Sequence, residues 1–294
     1  MSVARTGAVY DRGYRPYDGP RGGRQAATLA VYRSTLRRAI GLRRSWRQKF
    51  LPFSLLAIVT IPAMVNVGIG FATRNSPLEH FEFFTFRDYV GVSASLLLFV
   101  AVAAPDVICP DRRQRVLPLL FARPLTGYDY VAAKVGALFS LLFLFSFLPQ
   151  VLLFVGQMLV SDAAFEYVKD NAAVLWQVPV AIVALALYYA VVSLAVSSLT
   201  TRRVVGGATI LGLTLVSSVV AGILYETGSP GWGVVTDLLG LPLYIRDLIF
   251  LGHIDPESQA SGTRGAGLTA VIAYLVVVAT SGALLLRRYR WLER

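Results

Sequence analysis

The stretch PDRRQRVLPLLFARPLTGYDY, residues 110–130, carries the most chemically suggestive side chains of the sequence, and it lies between two long apolar runs. One acid, Asp111, is followed by four arginines, Arg112, Arg113, Arg115 and Arg123, around a short apolar run of Val116, Leu117, Leu119, Leu120 and Phe121. Pro110 and Asp111 read as a helix start, because an aspartate there can accept from free backbone N–H groups and its charge suits the positive helix end. Pro124 reads as the end of that helix, and Thr126–Gly127 as a turn. The expected product is a short helix with one apolar face and one arginine-bearing face. A plain connector needs only a few residues, so such a projection fits docking to another protein.

Other groups able to do chemistry are sparse. Asn66, Gln150, Gln157 and the Tyr188–Tyr189 pair are polar groups in apolar surroundings. Each suits an interhelical hydrogen bond, and Asn66, Gln150 and Gln157 are also the residues that could line a path for a cargo. A single cysteine, Cys109, excludes an internal disulfide, and His80 and His253 lie far apart in sequence. No H-E-x-x-H zinc motif, serine elbow, paired intramembrane carboxylates or G-x-x-x-x-G-K-[ST] phosphate loop is present. No catalytic, metal or cofactor-binding residue is therefore expected in this chain.

The elements that must position these residues are membrane helices. The 294 residues are 55% hydrophobic and only 15% charged, against about 25% charged in soluble domains. Six apolar runs are long enough to cross a hydrocarbon core, which takes roughly 20 helical residues: 50–72, 89–108, 135–160, 172–199, 204–224 and 267–286. With the N-terminus cytoplasmic, 23 of the 28 basic residues fall inside and 11 of the 17 acidic residues outside. That alternation follows the positive-inside rule and accounts for the net charge of +11 without nucleic acid. A further run, 231–252, would bury Asp237, Arg246 and Asp247 and is broken by Pro242. It is expected as two short helices that dip in from the outer side.

Four segments follow. Residues 1–24 are rich in Gly, Pro, Tyr and Arg and read as irregular. Residues 25–49 repeat apolar side chains at helical spacing through Leu29, Tyr32, Leu36, Leu42 and Trp46, with arginines mostly on other faces. Such a helix suits the inner membrane interface, or packing on a partner protein. Residues 50–286 hold the spans, and 287–294 form a basic tail.

The loop and the topology together resemble permease subunits of ABC-2 type ABC exporters. In that family the second span is followed by an acidic residue, a Gly-Thr-Leu step, a Leu-Leu pair, an Arg-Pro-Val-Ser run and a Gly-Lys. The matching residues are Asp111, Val116-Leu117, Leu119-Leu120, Arg123-Pro124-Leu125-Thr126 and Ala133-Lys134. Asp111 stands where glutamate is usual, Arg115 where glycine is usual, and Pro118 where a polar residue is usual. The resemblance implies an all-α fold with an N-terminal interfacial helix, six spans, a cytoplasmic coupling helix after the second, and outer re-entrant helices between the last two. It implies that Asp111, Arg112, Arg113, Leu119, Leu120, Arg123 and Thr126 couple to a separate ATPase subunit, which binds ATP and Mg. It further implies pairing with a second permease, identical or not, contact with membrane lipids, and a place in a bacterial inner membrane with both termini cytoplasmic. Small residues such as Gly68, Gly70, Ala208 and Gly212 suit close packing, either between subunits or within one. An integral membrane enzyme acting on lipids, or a scaffold or sensor, are the other readings. Cargo identity is not legible.

Overall fold

The computed structural model describes residues 22–40, 46–73, 85–90, 93–121, 125–161 and 163–293. The expected irregular segment 1–24 thus lies outside them up to position 21. Every regular element among the described residues is a helix. In chain order they are α1 (Arg24–Ala39), α2 (Trp46–Thr73), α3 (Phe86–Tyr89), α4 (Ser93–Arg113), α5 (Leu117–Phe121), α6 (Gly127–Val160), α7 (Ala164–Asp170), α8 (Ala172–Ser198), α9 (Arg203–Glu226), α10 (Pro230–Thr236), α11 (Leu241–Leu251) and α12 (Ala266–Glu293).

Five of these, α2, α6, α8, α9 and α12, are long and apolar enough to cross a membrane. α4 is apolar up to Ile108 apart from Asp106, and it carries Asp111, Arg112 and Arg113 at its end, beyond that stretch. α8 is the axis of the bundle, with 72% of its most apolar stretch buried against 22–39% for the other four. Its lower half, from Ala181 to Ser198, is almost continuously buried between α4, α6, α9, α11 and α12. The peripheral helices present leucines, isoleucines and valines outward, as on α9 from Leu213 to Ile223. Apolar side chains on the outside of an already packed bundle need a solvent other than water.

Two close approaches set the packing. A Cβ on Gly156 would lie 2.4 Å from the Val67 side chain, so that side chain of α2 packs directly on the α6 backbone. A Cβ on Gly207 would lie 2.6 Å from the Ala101 carbonyl, so α9 rests directly on the α4 backbone. Small residues permit such contacts where dispersion, not the hydrophobic effect, draws helices together.

α1 is shorter than expected. The helix covers Arg24–Ala39, residues 41–45 lie outside the described set, and Trp46 opens α2 instead of closing α1. α1 runs parallel to the first half of α6, with Arg24 beside Asp129 at one end and the Tyr32 hydroxyl donating to Ser140 Oγ (2.9 Å) further along. Val31 and Thr35 are buried in that contact.

The 231–252 run folds as two helices, α10 and α11, and not as one. They form a hairpin walled by α8, α9 and α12. Near the start of α8 the Gln177 amide donates weakly to the Ile249 and Phe250 carbonyls at the end of α11. Eleven residues further along α8 the Tyr188 hydroxyl donates to the Leu238 carbonyl in the hairpin turn (2.9 Å). At 1.5 Å per residue the turn therefore lies about 16 Å deeper along the bundle than the end of α11. The buried carboxylate of Asp237 holds that turn, accepting from the Gly240 N–H (2.9 Å) and the Tyr244 hydroxyl (2.8 Å). Any side chain at position 240 would strike it, since a Cβ there falls 2.1 Å from Asp237 Oδ2.

Candidate functional site

The residue 110–130 region begins inside a helix. α4 continues through Pro110 and Asp111 to Arg113, so Asp111 does not start or cap a coupling helix. The chain then turns through a Schellman motif: the Val116 N–H bonds to the Asp111 carbonyl (3.2 Å) and the Arg115 N–H to the Arg112 carbonyl (3.3 Å). Arg115 takes the left-handed position of that motif, with φ of 52°, where glycine is the usual occupant. α5 occupies only Leu117–Phe121, with Leu117 buried, Leu120 half-buried against the core and Pro118 exposed. Arg123 and the side chain of Leu119 lie outside the described residues.

Thr126 also plays a different part from the expected turn. It is the N-cap of α6, in a capping box with Asp129: each side chain bonds the other residue's backbone N–H. The Arg24 guanidinium reaches across from α1 to both, at 2.7 Å from Asp129 Oδ2 and 3.2 Å from Thr126 Oγ1. The T-x-x-D spacing is a helix-start signal present in the sequence. It moves the start of the third long helix from the expected Val135 to Gly127.

Asp111 is the hub of this end. It is 4% exposed and paired with the equally buried Lys134 of α6 at 2.6 Å. Arg38 of α1 binds its other oxygen, Oδ1, at 2.7 Å, and the Tyr130 hydroxyl donates to Oδ2, beside Lys134, at 3.0 Å. Lys134 also donates to the Val107 carbonyl (2.9 Å), which leaves the ammonium well satisfied. Asp111 lies beyond the apolar stretch of α4 that ends at Ile108. Burial pushes its carboxyl up, but Lys134 and Arg38 outweigh burial and hold it below the usual carboxylate range. Tyr130 in turn stacks at a tilt on Tyr289 of α12, ring centroids 5.0 Å apart, and both rings are fully buried. One carboxylate thereby ties α1, α4 and α6 together, and α12 through Tyr130.

Arg112 is likewise turned inward. Its guanidinium donates to the Ser198 and Thr200 carbonyls, the open C-terminal end of α8, where a cation offsets the helix dipole. Arg203 at the start of α9 pairs with Asp106 at 2.7 Å. Arg113, Gln114 and Arg115 point away from these contacts and are exposed. Of the expected docking residues, Asp111, Arg112 and Thr126 are thus internal fasteners, Leu120 is partly so, and Arg113 faces outward.

The residues expected along a cargo path are buried or bonded in the half remote from Asp111. Gln157 accepts from the Tyr167 hydroxyl of α7 at 2.7 Å. Gln150 is 2% exposed and donates to the Phe86 carbonyl at 3.1 Å. Asn66 is buried on α2.

The start of α6, the ends of α4, α8 and α12, and the starts of α1 and α9 all meet at the Asp111 end. Arg24, Arg38, Arg112, Arg113, Arg115, Arg202, Arg203, Arg288 and Arg290 gather there. The opposite end carries Asp88, Asp247, Asp255, Glu226 and Glu257, with Arg87 and Arg246 engaged in ion pairs to Asp255 and Asp247. No family model matches the chain, and no curated protein matches it. Fold and site together define a class: an all-helical protein whose five long apolar helices suit a multi-pass membrane protein, with the helix ends that flank residues 117–121 fastened by ion pairs and a capping box.

Proposed function

We propose that this chain is the membrane-embedded permease subunit of an ATP-driven exporter of the ABC-2 type. In this reading α2, α4, α6, α8, α9 and α12 are the six spans. The basic end lies in the cytoplasm, and the α10–α11 hairpin dips in from the outer side. ATP and Mg are bound by a separate ATPase subunit, and a second permease completes the path for an apolar or amphipathic cargo.

The observation that carries the reading is the way the α4–α5–α6 loop is fastened. Asp111, Arg112 and the Thr126–Asp129 capping box fix its two ends to α1, α6 and α8. Arg113, Gln114, Arg115 and Pro118 are left exposed between them. A stiff pedestal with cations at its tip can receive a push from a docked subunit and pass it to the spans. A floppy loop would absorb that push.

The test is site-directed crosslinking. Cysteine placed at Arg113 or Pro118, in a chain whose own buried Cys109 is replaced by serine, should crosslink to a co-assembled subunit that hydrolyses ATP. Arg113→Glu should weaken that assembly while leaving the isolated chain folded. A chain that assembles with no ATPase, or one whose ATPase contacts neither position, overturns the proposal.

A further inference from the structure

A cavity of about 200 Å³ opens on the flank of the bundle between α6 and α8, in the half remote from Asp111. Its walls are apolar, formed by Phe86, Phe147, Val151, Phe154, Val178 and Pro179 among others. One lining side chain, Gln150, is polar and 2% exposed. Its Nε2 donates to the Phe86 carbonyl, which can only accept, and this fixes the amide orientation. Its Oε1 has no hydrogen-bond partner among the described residues. A second acceptor borders the same space: Pro179 has no N–H, so the carbonyl of Leu175, another lining residue, loses its helical donor.

We propose that this cavity binds one end of an apolar molecule that carries a hydroxyl donor, with the hydroxyl on Gln150 Oε1. The walls select a hydrocarbon chain or ring. The orphaned acceptor selects a donor, because a buried acceptor left unpaired is more costly than one never buried. At about 200 Å³ the cavity is smaller than the roughly 300–1,000 Å³ of sites that enclose a whole drug-sized ligand. It therefore takes the hydroxyl terminus of a lipid-like molecule, whose remainder stays in the surrounding bilayer. The ring of Phe154 stands between that of Phe86 (centroids 6.0 Å) and that of Tyr167 (5.6 Å), and so stiffens one wall.

The site does not depend on the chain being a transporter, and its test needs neither ATP nor a partner. The full chain in lipid nanodiscs is irradiated with a diazirine-bearing hexadecanol or with its methyl ether, and labelled residues are mapped by mass spectrometry. The alcohol should label Val151, Val155 and Leu175 about tenfold more than the ether, the ratio expected of one buried hydrogen bond. Both compounds should label the outward face of α9 equally. Gln150→Leu should abolish the preference. Leu175→Trp, which fills the cavity and keeps Gln150, should abolish alcohol labelling at Val151 and Val155. Equal labelling of the cavity by the two compounds, or a preference that survives Gln150→Leu, overturns the proposal. Either result leaves the exporter reading untouched.

Discussion

Asp111→Asn separates two roles for the acid that opens the loop. If Asp111 were chiefly a docking contact, the isolated chain would be as stable without its charge. The structure instead places it 4% exposed, 2.6 Å from a Lys134 that is 3% exposed, with Arg38 and Tyr130 completing its shell. Removing one member of a buried pair strands the other charge and costs about 3–5 kcal/mol. Arg38 is less affected, since its side chain is 39% exposed and can turn to water. At roughly 2 °C per kcal/mol for a chain of this size, thermal unfolding of the detergent-purified protein should fall by about 6–10 °C. Lys134→Met alone should cost a similar amount. The double variant Asp111→Asn with Lys134→Met should recover much of the loss, because removing both charges of a buried pair leaves none stranded. A loss under about 1 kcal/mol for Asp111→Asn, or strictly additive effects in the cycle, would refute the hub assignment.

Acid should expose the same group. Because Asp111 holds its charge below the usual carboxylate range, its stabilising contribution is complete above the ordinary aspartate pKa and is lost as pH falls through the depressed value. The acid limb of a stability–pH curve should therefore flatten in Asp111→Asn. Arg115→Gly should stabilise the chain by about 1 kcal/mol in the same unfolding assay, since glycine carries no Cβ into the left-handed turn; a destabilised variant would mean that the arginine side chain has a partner at that site. Gly207→Ala should destabilise by about 1–3 kcal/mol by forcing α9 off the Ala101 carbonyl. Gly212→Ala, with open space around it, is the control that should change little. For sidedness, cysteines replacing Ser161 and Ser258 should react with an impermeant reagent from outside intact cells, and one replacing Ser2 should not; the reverse pattern inverts the orientation.

The long apolar runs were legible in the sequence because length and composition alone decide them. The α8 and α9 runs differ from the expected 172–199 and 204–224 by at most two residues at either end. Departures came where charge is compensated inside the fold. Asp111 resembles a helix cap only while Lys134, 23 positions later, and Arg38, 73 positions earlier, are unknown to be its neighbours. Thr126 was readable, since its T-x-x-D capping box is local, but the preceding proline made a turn look sufficient. α12 runs on through Arg290 to Glu293 because its arginines lie beyond the apolar stretch and do not interrupt the helix. Gln150 stood out as polar, yet its significance lies in which of its two amide atoms lacks a partner, and only the position of the Phe86 carbonyl shows that.

The α10–α11 hairpin also dictates an order of manufacture. Its walls are α8 and α9, made before it, and α12, made after it. The slot it fills is complete only when α12 is packed beside α8 and α9. Only then is the Asp237 turn enclosed beside Tyr188, about 16 Å along the bundle from the end of α11. A chain truncated before Ala266 should thus lack one wall of the slot, and the accessibility of Asp237 would report whether the last helix is in place.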